Sequence, residues 1–565
     1  MTETRLSRSL AGPAAALIAL LLILVAPPLW FVLSGSVLPE GESGLTFHYY
    51  ENLIANPGLL ESVVNSLLFA IFSAVAALLI GGLNAWIVER TNTPFKSLIT
   101  VTTVTALAIP YVLYTSAWLQ LLGRAGPINQ LYRVLSGSEG VLFDVYSLPG
   151  MVLIEGLLWS PFVFLAMSAS LRNMNPEFEE AAKMSGARTH QIVRSITLGL
   201  LAPAIMALAM LLFVRAIEAF EVPALVGIPG RIYTMTTDIY ADMQQSVPPD
   251  LGGASAFSVV LIGLVAILLR FHDRLTKNAD RFATVTGKGF RARIMDLGRW
   301  RYLTAAVLVL NFVLLLALPM AMLVWVSLLP LTQAVSPRAF QLLSLKNYAT
   351  ILENPEYFDL VQRTVLIAAV TATVAMALTA FAAWLVIHRA PASKLVSQLA
   401  TMPLVFPGIV LGVGVMQLFL RVPLPIYGTI WILIWAFVIA YLPYGMRYCF
   451  SGLLQIHREL EEASWVAGAS PFVTLRRITL PLLSPSLVAG WLFIFLISAR
   501  VLSLAILLAG PSSQTLAVAM FGLWSNGQGN ELAALGLMWA AAVSVVIAAF
   551  YAVSRRASAG FLRFA

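Results

Sequence analysis

The stretch Glu179-Glu180-Ala181-Ala182-Lys183-Met184-Ser185-Gly186 returns 282 residues later as Glu461-Glu462-Ala463-Ser464-Trp465-Val466-Ala467-Gly468. The same offset carries Ile196-Thr197-Leu198 onto Ile478-Thr479-Leu480, Pro203 onto Pro485 and Pro229 onto Pro511. Nearer the N-terminus the offset is 298, and Asn56-Pro57 and Ala85-Trp86 recur as Asn354-Pro355 and Ala383-Trp384. Apolar residues coincide by chance in any apolar chain. Charged, Gly and Pro residues at a fixed offset do not, so the chain is an internal duplication.

The repeats are built for lipid. Of 565 residues, 59% are hydrophobic and only 11% charged, against ~25% charged in an ordinary soluble domain. So little charge does not cover a water-facing surface, and an all-α integral membrane protein is expected. Disorder is excluded, because such chains are charged and poor in aromatics. Cys449 is the only cysteine, which excludes a disulfide framework and a cysteine-rich zinc site. His48, His190, His272, His388 and His457 are too scattered to form a ligand-spaced cluster. The net charge of +8 follows from where the basic residues sit and requires no nucleic acid.

A helix needs ~20 apolar residues to cross a bilayer. Twelve stretches meet that need: 11–33, 61–88, 98–122, 148–171, 195–221, 255–271, 302–329, 360–387, 395–420, 427–448, 481–510 and 531–553. They are longer than barrel strands and apolar on every face, which favours helices. Arg5 and Arg8 precede the first stretch, and most of the 35 Lys and Arg residues fall on the same side as both termini. Positive charge is retained in the cytoplasm, so both termini are expected there. The first stretch runs on through Pro27-Pro28 without a small-residue cleavage pattern and reads as an uncleaved helix.

Residues 1–269 and 302–565 thus form two repeats of about six spans, joined by a basic linker at 270–301. The linker holds Arg270, Arg274, Lys277, Arg281, Lys288, Arg291, Arg293, Arg299 and Arg301. Lipid headgroups suit such a run, although the cytoplasmic charge rule alone accounts for it. An even number of spans makes the repeats parallel, related by an axis along the membrane normal. That arrangement points to transport along a shared path.

The duplicated stretches lie between spans, on the basic side. Asn175 suits an N-cap and Pro176 the first helical position. The glutamates that follow suit the positive end of the helix dipole, and Gly186 supplies a terminating turn. In the second copy Gly468 does the same, and Ser470-Pro471 starts the next helix. Each loop reads as a short helix, a glycine turn and a helix returning to the membrane. A short helix bearing small residues can lie in a groove of another protein, and the glycine turn would pass a push on it to the next span.

The pattern E-A-A, three residues, G, nine residues, I-x-L-P resembles the signature loop of permeases in binding-protein-dependent ABC importers. The first copy is Glu180, Ala181, Ala182, Gly186, Ile196 and Leu198, with Gly199 in place of proline. The second is Glu462, Ala463, Ser464, Gly468, Ile478, Leu480 and Pro481, with serine in place of the second alanine. The resemblance covers roughly residues 45–270 and 340–555. It implies the type I importer fold in a bacterial inner membrane. It further implies that Glu179 to Gly186 and Glu461 to Gly468 dock two cytoplasmic ABC ATPase subunits. A periplasmic solute-binding protein would deliver the solute. ATP and Mg would belong to the ATPase subunits, this chain binding no cofactor or metal and catalysing nothing itself.

The fused two-repeat layout further resembles ferric-iron permeases. Pro403-Leu404-Val405-Phe406-Pro407-Gly408-Ile409-Val410-Leu411-Gly412 looks like their ninth-span motif. Val222-Pro223-Ala224-Leu225 and Thr236-Thr237-Asp238-Ile239-Tyr240 look like the stretches after their fifth span. Thiamine, phosphonate and polyamine permeases share much of this. Ferric iron is the leading expectation.

Charges at bilayer depth are costly and need a partner or water. Arg215, Glu218 and Glu221 fall at the fifth span, and Arg500 at the eleventh. Glu218 and Arg500 differ by 282, so they hold equivalent positions and suit a gate along the path. Arg215 and Glu218 are also spaced to pair along one helix face. Glu155 is a further isolated carboxylate in the fourth span, and Arg363 reads as snorkelling at the start of the eighth. A facilitator-type carrier usually has a basic Gly-Asp-Arg motif after its second span. Residues Glu89 to Lys96 lack it. No Walker A, His-Glu-x-x-His or Gly-x-Ser-x-Gly pattern marks an enzyme.

Overall fold

The computed structural model of the protein describes residues 10–38, 44–174, 177–244, 246–277, 294–331, 333 and 335–561. Arg5, Arg8, Asn175, Pro176, Arg281, Lys288, Arg291 and Arg293 lie outside the described residues. Within them the regular elements are helices, and one isolated bridge joins Thr91 to Met295. Among the described residues ten helices are long and apolar enough to cross a membrane, or eleven if one bent pair counts as a span.

Two of the twelve expected spans are broken near their middle, and a third, 481–510, ends its long helix at Ser498 and resumes only at Ala505–Leu508. The stretch 98–122 is two helices, Lys96–Ala108 and Tyr111–Leu122. The stretch 395–420 breaks between Val405 and Gly408, where its halves bend by 107°. Proline is the cause in both. It disfavours helical dihedrals in the residue before it, and Ile109 and Phe406, which precede Pro110 and Pro407, are extended at ψ 129° and 110°. Both broken segments also start alike, on the left-handed residues Phe95 (φ 64°) and Ala392 (φ 56°).

The chain forms two compact units, Met1–Leu59 with Asp238–Ala266 and Pro355–Ala519, and Leu60–Thr237 with Ile267–Asn354 and Met520–Ala565. These are not the sequence repeats at 1–269 and 302–565. Each unit takes its middle from one repeat and flanking helices from the other.

In the first unit the Pro355–Ile387, Ile430–Leu453 and Leu480–Ser498 helices pack on one another, and Ala11–Gly35 lies along Gly408–Arg421. Gly414 makes the last contact possible, since a Cβ there would sit 2.5 Å from the Pro28 carbonyl oxygen. Beside it the Gln417 amide donates to the Leu251 carbonyl (3.3 Å) and the Ser255 hydroxyl.

In the second unit, Ala77, Ile87, Val163, Phe164, Leu208 and Leu308 belong to one buried cluster. The Leu318–Ser327 helix packs against Gly529–Phe561. Its end leaves carbonyls without intrahelical partners. The Asn530 amide donates to Val326 O (2.9 Å) and Leu329 O (2.8 Å), and Asn347 to Ser327 O (2.8 Å).

Candidate functional site

The two duplicated loops fold alike. Glu177–Met184 and Arg458–Val466 are short helices. Each ends on a glycine in the left-handed region, Gly186 at φ 83° and Gly468 at φ 88°. Backbone N–H groups then close the turn. Gly186 donates to Lys183 O and Ala187 to Ala182 O, both at 3.0 Å. Gly468 donates to Trp465 O (3.0 Å) and Ala469 to Ser464 O (3.1 Å). This double closure is what a glycine past a helix end permits. In the second loop the Ser470 hydroxyl accepts from Val473 N, with Pro471 at the first position, as expected.

The adjacent glutamates face opposite ways. Glu180 and Glu462 are exposed, as are Ala181 and Ala463, while Ala182 and Ser464 are half-buried. Glu179 and Glu461 turn inward and are only 7% and 6% exposed. Thr197 Oγ1 donates to Glu179 Oε1 at 2.7 Å, and Thr479 Oγ1 to Glu461 Oε1 at 2.6 Å. Each threonine ends a wide helical turn, Val193–Thr197 and Leu475–Thr479, that leads into the next long helix. The remaining carboxylate oxygen meets a base from the end of the Pro57–Arg90 or Pro355–Ile387 helix. Arg90 Nη1 lies 3.9 Å from Glu179 Oε2, and His388 Nε2 lies 2.7 Å from Glu461 Oε2.

Each exposed short helix is therefore fastened at one buried carboxylate to two membrane helices. Burial works to raise the Glu461 pKa, but hydrogen bonds from His388 and Thr479 outweigh it and hold the carboxyl below its ordinary range. Arg90 and His388 escaped sequence reasoning, although their numbers differ by the repeat offset of 298. Different side chains at equivalent positions do not announce themselves as a match.

The charged residues of the fifth and eleventh spans hold equivalent places, each within its own unit. Glu218 caps the Leu198–Ile217 helix, and Arg500 lies in the turn after Leu480–Ser498. Glu218 Oε2 accepts from Arg215 Nη1 at 3.1 Å, so the pairing along one helix face is realised. Its other oxygen is buried without a hydrogen-bond partner. Glu221 is buried, and so is Glu155, which accepts from Trp159 Nε1 at 2.9 Å. Arg363 is half-buried and donates to Asp359 O and Pro511 O. Among the described residues no three His, Cys, Asp or Glu side chains converge so as to hold a metal ion.

Residues 77–281 match the family described as binding-protein-dependent transport system inner membrane component. The putrescine transport system permease protein PotI of Escherichia coli is 30% identical over 222 residues, covering 38% of this chain and 78% of that protein. The ferric transport system permease protein FbpB of Actinobacillus pleuropneumoniae is 26% identical over 442 residues, 76% of this chain and 62% of that one. The Fe(3+)-transport system permease protein FbpB 2 of Haemophilus influenzae is 22% identical over 516 residues, 90% and 93% of the two chains. For three curated relatives, the Actinobacillus protein among them, the chain spans between 58% and 62% of their length.

Proposed function

We propose that this chain, which belongs to the family of binding-protein-dependent transport system inner membrane components, is the fused transmembrane permease of an ATP-driven importer with ferric iron as its cargo. The observation that carries the importer reading is the pair of loops. Two exposed short helices with the same left-handed glycine and the same inward carboxylate recur at one offset, each fastened to membrane helices. A chain that only spanned the membrane would have no use for two such external levers.

In this reading the exposed faces carrying Glu180, Ala181, Glu462 and Ala463 seat two cytoplasmic ATPase subunits. ATP and Mg are consumed there and not by this chain. Closure of those subunits pushes the short helices, and the glycine turns pass the push into Leu198–Ile217 and Leu480–Ser498. A periplasmic binding protein delivers solute on the far side of a bacterial inner membrane, and both termini stay cytoplasmic. Arg215, Glu218, Glu221 and Arg500 belong to the path or its gate, because fixed charge at bilayer depth is retained where solute and water pass.

Iron is supported by two relatives whose names state ferric transport, one of them matched over 93% of its length. The putrescine permease supports a polyamine as the second reading. Reconstitution with the co-purified ATPase and binding protein, followed by uptake of ferric iron and of putrescine, separates them. ATP-dependent iron uptake is expected. Putrescine uptake alone would overturn the cargo, and a purified complex without any ATPase would overturn the importer.

A further inference from the structure

The two buried carboxylates are held by bases of different kind, and that difference has a consequence for how the levers work. In one half the base is Arg90, fully buried, whose Nη2 donates to Leu171 O at 3.0 Å and whose Nη1 stands 3.9 Å from Glu179 Oε2 as an ion pair without a hydrogen bond. A guanidinium does not give up its proton at any pH a protein survives. In the other half the base is His388, with its ring between two acceptors. Its Nδ1 lies 2.9 Å from the Trp384 carbonyl and its Nε2 2.7 Å from Glu461 Oε2. A carbonyl only accepts, and an ionised carboxylate only accepts, so this geometry satisfies both acceptors only when both ring nitrogens carry hydrogen. The rings of Trp384 and Trp465 pack beside it with centroids 5.1 Å and 6.0 Å away. Arg458, on the same short helix as Glu461, adds positive charge to that carboxylate's surroundings.

We propose that Arg90 and His388 are positioning residues that pin the two coupling helices, Arg90 permanently and His388 only while it keeps its second proton. Loss of that proton leaves one N–H for two acceptors, so either the Trp384 carbonyl or the Glu461 carboxylate then faces a ring lone pair. Imidazole can make this change within the physiological range. The Arg458–Val466 helix thereby loosens as pH rises, while Glu177–Met184 does not. The importer becomes unequal in its two levers under alkaline conditions, and more ATP is spent per solute moved. The coupling consequence rests on the importer reading; the pin itself does not.

Hydrogen exchange of the purified full-length chain, without nucleotide or partner, tests the pin. After correction for intrinsic exchange, protection of residues 458–468 should fall by about 5–10-fold between pH 6.5 and 8.5, the worth of one lost hydrogen bond. Protection of residues 177–186 should stay flat. Arg90→His should give 177–186 the same dependence. His388→Arg should remove it from 458–468. His388→Gln, which cannot be charged, should leave 458–468 weakly protected at every pH. A flat native profile, or equal slopes in native protein and His388→Gln, overturns the pin. In the reconstituted complex, ATP consumed per solute should rise with pH in the native protein and stay level in His388→Arg. Exchange that behaves as described without this change in coupling overturns the link to transport. A complex without ATPase overturns the importer and leaves the pin standing.

Discussion

Gly81 and Gly445 relieve equivalent helix crossings, one in each repeat, from opposite sides. A Cβ on Gly81 would sit 2.5 Å from Ser160 O and 2.6 Å from Val163 Cβ, and a Cβ on Gly445 would sit 2.5 Å from Thr379 Oγ1. By the repeat offsets Gly81 corresponds to Thr379 and Val163 to Gly445. One repeat thus places the small residue on its second long helix and the other on its fourth. The crossing admits one side chain, and which helix supplies it is free to change. Gly81→Ala should cost ~1–3 kcal/mol of stability through overpacking against backbone. Gly81→Thr combined with Val163→Gly should recover most of what Gly81→Thr loses. Thermal unfolding of the detergent-solubilised protein measures both, and an unaffected single variant would mean that the crossing is not close-packed.

The inward and outward glutamates of the loops should separate by phenotype. Glu179→Gln and Glu461→Gln weaken a buried, charge-assisted contact and should each cost ~1–3 kcal/mol. Glu180→Gln and Glu462→Gln alter exposed side chains and should leave the unfolding midpoint unchanged while weakening retention of the ATPase. For Glu461 the pH dependence has a definite sign. The fold holds its carboxyl below the ordinary value, so its stabilisation is present above that value and is lost as pH falls through the lowered one. Unfolding midpoints on the acid side should therefore drop more steeply in native protein than in Glu461→Gln.

The parts of this site that were legible in the sequence are those whose chemistry permits few alternatives. A left-handed turn wants glycine, which made Gly186 and Gly468 readable, and Ser470-Pro471 spells a helix start. The inward turn of Glu179 was not readable, because Glu180 beside it suits either face until the helix phase is known. Pro110 and Pro407 lay inside runs that are apolar enough to span, and hydropathy measures compatibility with lipid and not continuity of a helix. The packing of Ala11–Gly35 along Gly408–Arg421 needs close approaches such as Gly414 against Pro28, which no periodicity encodes.

Asp242 should make the fold weaken as pH rises. Burial, with Asp250 and Asp238 adding to it, pushes its carboxyl up to about 7. The folded protein then holds a proton that the unfolded chain has already released, and stability declines as pH climbs from the ordinary carboxylate range to about 7. The unfolding midpoint should accordingly be higher at pH 5.5 than at 7.5 on this account. In Asp242→Asn the difference between the two pH values should shrink, with the gain appearing at 7.5. An equal pH response in the two proteins would place the carboxylate in water.

Arg215 and Glu218 decide between a static brace and a moving part. As a brace, each single variant, Arg215→Gln or Glu218→Gln, removes the charge-assisted contact between them and should lose ~1–3 kcal/mol. The double variant should regain it, and uptake should follow the amount of folded protein in all three. As part of the path, the pair must break during the cycle, and the buried oxygen of Glu218 that lacks a hydrogen-bond partner is the atom free to find a new one. Uptake per folded molecule should then stay at least about tenfold down in the double variant even though stability returns, a deficit of ~1.4 kcal/mol in the transport barrier. The second outcome is expected, because a brace satisfied within one helix turn needs no equivalent residue, yet Arg500 holds the same position in the other repeat.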